Sequence, residues 1–193
     1  MKRKKSLPMM LGICLIAASV GVFAVLQLGA FLGRRQCRQV VQQLDQILQE
    51  KVNGVPGSLS GGMPVLQLGG QDYAALLEVP DFGVRLPVAD QWNSQKLSRG
   101  PARFYGSAYD GTLVIGGADG AGQLDFCDRI GHDTQVIITD MTGARFSYHV
   151  TRIDRATHAE SAWLASEEFD LTIFCRDAYT MEYIAVRCNY SYK

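Results

Sequence analysis

The chain has 193 residues, and its 19 Lys and Arg residues balance 19 Asp and Glu residues, so the formal net charge is zero at pH 7. This balance provides no positive surface for nucleic acid, which is therefore not an expected partner. The length suits one folded domain with an accessory segment, and the 47% hydrophobic content is raised by one apolar run near the start.

The N-terminal segment places a basic flank before a long uncharged run. Residues 1–6 carry four cations, and residues 7–32 carry no charge. A helix of that length spans the roughly 30 Å hydrocarbon core of a bilayer. The run exceeds the apolar core of a cleaved signal peptide, about 7–15 residues, and it lacks a clear small-x-small cleavage site. We therefore predict a transmembrane anchor over residues 7–32, in contact with membrane lipid, rather than a cleaved signal peptide.

Residues 33–53 are predicted to form a juxtamembrane amphipathic helix, because their apolar residues recur at helical spacing. These apolar residues are Val40, Val41, Leu44, Ile47 and Leu48. Residues 54–70 are rich in Gly, Pro and Ser and are predicted to be a linker. Cations flank the uncharged run on both sides, so charge alone favours a cytoplasmic N-terminus only slightly.

Residues 71–193 are predicted to form the folded domain. Short runs rich in Val, Ile, Leu and aromatic residues are mostly separated there by Gly, Pro, Asp or Asn turns. The runs are AALLEVP, GVRLPVA, GTLVIGG, TQVIITD, RFSYHVTRI, DLTIF and EYIAVRC. The segment TDMTGAR between two of them predicts a hairpin turn with Gly143 at positive φ. This pattern predicts an all-β fold, either a barrel or a sandwich.

The five cysteines give no signature of a metal site. They contain no CxxC pair, and their spacing does not suit zinc. They are also too few and too unevenly placed to indicate a disulfide framework. Most are therefore predicted to be small buried hydrophobic residues, and no metal or other cofactor is predicted.

Four segments between Tyr73 and Cys188 carry a family pattern when they are taken in order. They are LLEVPDFGVRLPVAD, SRGPARFYGSAYDGTLVIGG, TQVIITDMTGARFSYHVTRID and DLTIFCRDAYTMEYIAVRC. They resemble the opening hairpin, the next strand segment, the central hairpin and the last two strands of sortases, the membrane-anchored cysteine transpeptidases of Gram-positive bacteria. The resemblance implies a closed β-barrel of about eight strands with short helices, preceded by an N-terminal transmembrane helix. It also implies a single-pass protein of the cell membrane whose C-terminal domain is extracytoplasmic.

The resemblance further implies a groove lined by a histidine, a cysteine and an arginine. The cysteine would attack a threonyl-glycine bond in the sorting signal of a surface protein, and an amine would resolve the thioester. The histidine should follow the segment VIGG, where this chain has Ala118, which cannot protonate a leaving amine. The arginine's position, four residues before Arg187, is Tyr183, which donates one hydrogen bond but has no cationic fork.

The cysteine's position depends on the register of one strand. Sortases carry the motif Thr-Leu-x-Thr-Cys there. In an ungapped alignment, Cys175 takes the place of the second threonine and Arg176 takes the place of the nucleophile. Because side chains alternate across a strand, Cys175 then faces away from the groove. A one-residue deletion would restore Cys175 to the nucleophile's position at the cost of a bulge.

The connection before the last two strands offers further candidates. His158 lies there and could replace the missing base, and the alternative is a solvated loop histidine. Its acids are Glu160, Glu167, Glu168 and Asp170. Their spacing matches no defined calcium loop, so a solvated face is predicted. Arg176 is a candidate to hold a peptide carboxylate, and the alternative is an ion pair with Asp177 or Glu182.

Three hypotheses for the function follow from these residues. The substituted positions and the intact strand pattern predict a catalytically degenerate, membrane-anchored sortase-like domain that binds a peptide sorting signal or a surface protein. The alternative is an active sortase, a transpeptidase or hydrolase that uses Cys175. The third hypothesis is an extracytoplasmic scaffold in which no groove survives.

Overall fold

The computed structural model describes residues 7–51, 59–60, 62–93, 100–117, 123–177 and 180–191. Within these residues the helices are α1 (Leu7–Lys51) and α2 (Ser161–Leu164). The strands are β1 (Leu59–Ser60), β2 (Met63–Pro64), β3 (Leu66–Leu68), β4 (Gln71–Val79), β5 (Val84–Ala89), β6 (Ala102–Tyr105), β7 (Leu113–Gly116), β8 (Gln135–Asp140), β9 (Arg145–Ala156), β10 (Leu171–Arg176) and β11 (Tyr183–Tyr190). A short helical turn, Pro80–Phe82, joins β4 to β5.

The strands β4 to β11 close into a barrel. Nine strands form one hydrogen-bonded sheet in the order β3-β4-β5-β6-β7-β10-β11-β9-β8, and β8 also pairs with β4, which leaves β3 attached outside the ring. Closure runs from the pair Ala75–Asp140 to the pair Glu78–Ile137. Closing the sheet gives every strand of the ring two hydrogen-bonded neighbours. The predicted all-β closed barrel with short helices is therefore confirmed, and the sandwich alternative is excluded.

Alternation along the strands separates the barrel core from the outer face. On β10 and β11 the core side chains are Leu171, Ile173, Cys175, Ile184, Val186 and Cys188. Each of them is 4% exposed or less. The intervening Phe174 and Ala185 pack into a separate cluster on the outer face. Because the period of a strand is two, this alternation also fixes which residues can line a surface groove.

The β8–β9 hairpin turns as the sequence predicts. Gly143 has a φ of 91°, in the left-handed region that favours glycine. The carboxylate of Asp140 accepts hydrogen bonds from the backbone N–H groups of Thr142 and Ala144, each at 2.8 Å. Tyr109 also donates its hydroxyl group to Asp140. The turn is therefore tied to the loop between β6 and β7.

Helix α1 packs its C-terminal part against the barrel. Its buried side chains there are Cys37, Val41, Leu44 and Leu48. The last three of these form a hydrophobic cluster with Leu76 and Met141. Arg85 of β5 forms a bidentate ion pair with Asp45 of α1, at 2.5 and 2.6 Å.

The helix continues past residue 33, where the sequence predicts a boundary. Across the described residues, no helix has the combined length and apolarity that crossing a bilayer requires.

The predicted linker over residues 54–70 contains ordered structure. The short strands β1, β2 and β3 lie within it, whereas residues 1–6, 54–58 and 61 lie outside the described residues. Met63 is fully buried and belongs to the barrel core. Composition misleads here because strand formation depends on packing against neighbouring elements more than on local residue preference.

Candidate functional site

The outer face of β7, β10 and β11 is the surface on which the family resemblance predicts a groove. β10 pairs in parallel with β7 on one side and antiparallel with β11 on the other. Val114, Phe174 and Ala185, one residue from each strand, are buried together on this face. Strands that are distant in sequence therefore contribute to one surface.

Cys175 points away from this face. Its side chain is 4% exposed and belongs to the barrel core. The thiol donates a weak hydrogen bond to the carbonyl oxygen of Leu124, 3.8 Å away. Over the described residues of β10, the ladders to β7 and β11 run without a register shift. A nucleophilic cysteine must be accessible to its substrate, and this position gives Cys175 no access from the outer face.

Arg176 and Tyr183 are neighbours on the outer face. They lie opposite each other in the β10–β11 ladder. The guanidinium carbon of Arg176 is 5.7 Å from the centre of the Tyr183 ring, within the range of a cation–π contact. The Nε of Arg176 donates a hydrogen bond to the carbonyl oxygen of Met181 at 3.1 Å. Two positions that the resemblance assigns to the catalytic groove are thus side by side, and they carry a cation and a phenol.

The remaining predicted site residues do not join this pair. Ala118 lies outside the described residues. His158 is exposed on the connection between β9 and α2, so it is not brought to the buried thiol of Cys175. Asp177, a predicted ion-pair partner of Arg176, contacts Arg155 at 3.4 Å.

The acidic residues of the β9–β10 connection (residues 157–170) make separate contacts and do not form one cluster. Its exposed acids are Glu160, Glu167 and Glu168. Glu168 forms an ion pair with Arg152 at 3.4 Å. The carboxylate of Asp170 accepts a hydrogen bond from the backbone N–H of Tyr190 at 2.7 Å. In the part of the chain that the structure describes, no three His, Cys, Asp or Glu residues are grouped so that they could hold a metal ion.

A small cavity of about 110 Å³ lies between the β9–β10 connection and the barrel wall. Its lining residues are Tyr105, Thr112, Val114, Leu164, Ala165, Ser166, Glu167, Phe169 and Thr172. Hydroxyl groups make up most of its polar lining. Sites for whole small molecules occupy about 300–1,000 Å³, so this cavity fits one small side chain of a larger ligand.

Arg187 fixes the β9–β10 connection above this cavity. Its side chain is 1% exposed. It donates hydrogen bonds to the carbonyl oxygen of Leu164 at 3.0 Å and to the hydroxyl of Thr172 at 3.1 Å. Its Nε lies 3.1 Å from the carboxylate of Asp154, and its guanidinium carbon lies 4.9 Å from the centre of the Trp163 ring. Burial lowers the pKa of Arg187, and the hydrogen-bonded Asp154 opposes this shift. This role of Arg187 was not predicted from the sequence. The available signal was the alternation of side chains along β11, which places Arg187 on the outer face.

Three aromatic rings cover the outer face beside β7. The ring centroids of Trp92, Phe104 and Phe174 are 5.3 to 5.5 Å apart. A Cβ atom at Gly116 would lie 2.2 Å from Trp92 and 2.4 Å from Phe174. The glycine therefore allows the rings to lie directly on the strand. In the resulting aromatic floor, Phe174 lies between the cavity residue Thr172 and Arg176 along β10.

Comparison with known proteins identifies the fold. No family model matches the chain, and no curated protein matches it in sequence. Sortase A from Corynebacterium diphtheriae superposes with a TM-score of 0.55 and 15% identity, covering 91% of this chain and 96% of that one. A sortase D5 transpeptidase from Clostridium perfringens gives 0.58 and 14%, covering 82% and 98%. Clostridium perfringens sortase C with the C-terminal cell wall sorting motif gives 0.55 and 18%, covering 80% and 91%. The chain therefore has a sortase-like fold.

Proposed function

We propose that this chain is a membrane-anchored, sortase-like domain that binds an extended peptide at the cell surface without cleaving it. One observation carries the proposal. Arg176 is exposed on the outer face, whereas its neighbour Cys175 lies in the core. A similar solved structure, the sortase C from Clostridium perfringens, contains the C-terminal cell wall sorting motif. That likeness supports a peptide as the class of ligand.

The side chains at the end of β10 support binding rather than acyl transfer. A peptide thioester requires a thiolate that can reach a peptide carbonyl. The thiol of Cys175 instead faces the carbonyl oxygen of Leu124. The outward residue is Arg176, a permanent cation that is not a nucleophile. Tyr183 beside it adds an aromatic ring at the position where the resemblance predicts an arginine.

Arg176 also defines the chemistry of the ligand. A guanidinium binds a carboxylate through charge-assisted, often bidentate hydrogen bonds. We therefore assign to it a peptide carboxylate, and in particular a free C-terminus. Thr172, which lines the cavity, and Arg176 are four residues apart on one face of β10, which corresponds to about 13 Å. A short extended peptide spans that distance, with one small side chain in the cavity and its carboxylate at Arg176.

The membrane part of the proposal rests on the exposed apolar surface of α1 and not on a spanning helix, since the described residues contain none. Residues 7–32 carry no charge. Exposed large apolar side chains of α1 are Leu11, Ile13, Leu15, Ile16, Val20, Val22 and Phe23, each 55% exposed or more. Exposed apolar surface of this extent marks a site of membrane or protein contact. Protease added to intact protoplasts tests the topology, because degradation of the barrel supports an extracytoplasmic domain and full protection contradicts it.

Intrinsic fluorescence provides a direct assay for the peptide. Both tryptophans of the chain, Trp92 and Trp163, pack in the outer-face cluster. A tetrapeptide with a free C-terminus is expected to change their emission. The same peptide with a C-terminal amide is expected to bind about 10- to 150-fold more weakly, because a hydrogen bond to a charged group contributes about 1.5–3 kcal/mol.

A pair of arginine variants makes this assay specific. Arg176→Met should abolish the preference for the free carboxylate. Arg145→Met should preserve it, because Arg145 is an exposed arginine at the start of β9 near Glu78. Equal binding of the acid and the amide, or an unchanged preference in Arg176→Met, contradicts the assignment of the ligand. Fluorescence that no peptide changes contradicts peptide binding on this face.

A further inference from the structure

The turn between β10 and β11 holds the side chain of Arg176 against its own backbone. The turn comprises residues 177–182, and the strand pair Arg176–Tyr183 closes it. Within the part of the chain that the structure describes, the guanidinium donates one hydrogen bond, from its Nε to the carbonyl oxygen of Met181 at 3.1 Å. Its Nη1 and Nη2 groups are therefore available as donors to a ligand. The side chain is tethered to the turn, while the end of the guanidinium is open.

Met181 adopts a backbone conformation that residues other than glycine rarely take. Its φ is 62°, in the left-handed region. Its side chain is 51% exposed, so packing of that side chain does not explain the conformation. Strained residues persist only where the surrounding contacts determine them, and they cluster at functional sites. In this conformation the N–H of Met181 donates to the carbonyl oxygen of Asp177 at 2.9 Å, and its carbonyl oxygen accepts from Arg176. The strained residue thus links the turn to the arginine.

Asp177 holds the turn in this shape. Its backbone N–H donates to the carbonyl oxygen of Glu182 at 2.8 Å. Its carboxylate accepts the backbone N–H of Thr180 at 3.2 Å, a type of bond by which aspartate fixes turns. The carboxylate is 12% exposed and also contacts Arg155 at 3.4 Å. Asp177 therefore determines where Met181 presents its carbonyl oxygen.

We infer that Asp177 is a positioning residue for ligand binding, because the turn that it builds holds Arg176 so that a carboxylate binds the end of its guanidinium. This inference rests on the proposed function and adds the geometry of binding. Because Nε donates to Met181, the ligand carboxylate binds Nη1 and Nη2, each of which donates to one of its oxygen atoms. A free arginine side chain loses rotamer freedom when it binds, whereas a tethered one has lost it already. The tether therefore strengthens binding of the carboxylate about 2- to 12-fold.

The charge of Asp177 predicts the opposite effect from its turn. Its carboxylate is a negative group next to Arg176 in the chain, so removing that charge alone should strengthen the attraction between Arg176 and a ligand carboxylate. Loss of the turn should weaken that attraction. Asp177→Ala removes both the charge and the acceptor for Thr180, whereas Asp177→Asn removes the charge and keeps an acceptor oxygen. The two variants therefore separate the turn from the charge.

The preference for the acid over the amide tetrapeptide tests the inference in the full chain in detergent. It is measured by the tryptophan titration as the Kd of the amide divided by the Kd of the acid. Asp177→Ala should lower this ratio about 2- to 12-fold, and Asp177→Asn should maintain or raise it. Arg155→Met should leave the ratio unchanged, because it removes the ion pair of Asp177 and not the turn. General damage to the domain would weaken binding of both peptides and leave the ratio unchanged.

A second pair of variants tests the backbone conformation of Met181. Met181→Val should lower the ratio by a similar factor, because a β-branched residue disfavours the left-handed region. Met181→Asn should preserve the ratio, because asparagine tolerates that region and keeps the carbonyl oxygen in place. A ratio that Met181→Asn lowers as much as Met181→Val would assign the effect to the side chain and contradict the inference.

The natural protein separates the failure of this inference from the failure of the proposed function. Equal binding of the acid and the amide by the natural protein contradicts the proposed function. A preference that persists unchanged in Asp177→Ala and Met181→Val overturns the positioning role alone. Exchange of the Arg176 Nε proton with water, followed by nuclear magnetic resonance and assigned with Arg176→Met, gives a readout without peptide. The proton should exchange faster in Asp177→Ala than in the natural protein and Asp177→Asn, and equal rates would also overturn the positioning role.

Discussion

Cys175 and Arg176, adjacent on β10, send their side chains to opposite faces of the barrel wall. The ladder to β11 is continuous through both residues, from Cys175–Ile184 to Arg176–Tyr183. Moving the thiol to the outer face would shift the whole strand by one residue and expose Ile173 as well. Exposure of one such side chain costs about 1.5–3 kcal/mol. The packing of β10 therefore resists the register that an active cysteine would need.

The first prediction concerns acyl transfer. The natural protein should form no thioester with a sorting-signal peptide, because its thiol is buried on the core side of β10. Intact-mass spectrometry after incubation with such peptides checks this. A peptide adduct on Cys175 that is lost in Cys175→Ala would establish the active-enzyme alternative. Cys188→Ala controls for modification of another buried thiol.

Arg187→Met should destabilise the domain by about 3–5 kcal/mol, the usual effect of removing one partner from a buried ion pair. The variant leaves Asp154 without its hydrogen bond from Arg187 and leaves the carbonyl of Leu164 without its donor. Chemical denaturation followed by circular dichroism measures the change. Arg152→Met is the control, because Arg152 is 48% exposed, and an exposed ion pair contributes about 0–1 kcal/mol. Equal effects of the two variants would contradict the role assigned to Arg187.

Gly116→Ala should destabilise the domain by about 1–3 kcal/mol through overpacking. The added Cβ would lie 2.2 Å from Trp92, so the aromatic floor would have to move. A change in tryptophan emission should accompany the loss of stability. Gly131→Ala is the matched control, because no atom lies within 4 Å of a Cβ built there. A Gly116→Ala variant as stable as the control would show that the rings do not lie on the strand.

Tyr148→Phe should be neutral or stabilising at pH 7. The hydroxyl of Tyr148 is buried and has no hydrogen-bond partner among the described residues, so removing it relieves a desolvation cost. Tyr109→Phe should instead cost about 1 kcal/mol, because the hydroxyl of Tyr109 donates to Asp140. Thermal unfolding of the two variants checks the contrast, and a reversed order would contradict it.

The same tyrosine predicts a dependence on pH. Burial, together with the nearby charge of Asp170, raises the pKa of Tyr148 above its ordinary value. The unfolded chain loses this phenolic proton near pH 10, whereas the folded chain still holds it. The folded state then binds more protons, so the free energy of unfolding falls as the pH rises above about 10. Tyr148→Phe should show a shallower fall over that range, and an identical slope would exclude this contribution.

Most barrel strands could be predicted along the chain, because each is a short run of apolar and aromatic residues and most are bounded by their own turn. The β8–β9 hairpin illustrates this, since Asp140 and Gly143 specify the turn locally. The position of Cys175 on the core side agrees with the ungapped register, one of the two that the sequence left open. Local pattern and final structure agree wherever the deciding contacts are close in sequence.

Other features depend on contacts between distant residues and left little trace in the sequence. Met63 is ordered by the barrel core and not by its Gly-rich surroundings. Arg187 acquires its role only when the β9–β10 connection folds over it. The hydrogen bond from the Cys175 thiol to the carbonyl oxygen of Leu124 requires the turn at Leu124 to reach β10. Alternation along β11 places Arg187 on the outer face. No periodicity or spacing identifies the partners in these contacts, because the elements involved are separated by whole strands.

The parallel pairing of β7 with β10 affects the order in which the strands of the barrel pair during folding. The β8–β9 hairpin lies between these strands in sequence, so their contact closes a long loop. Hairpins such as β10–β11 can form within microseconds, but distant pairings generally form late and slow the folding of β-barrels. The part of the outer face that joins β7 to β10 therefore forms late, after the hairpin that carries Arg176. A chain that is still folding would therefore present no complete outer face, and the peptide binding proposed above would begin only when the ring is complete.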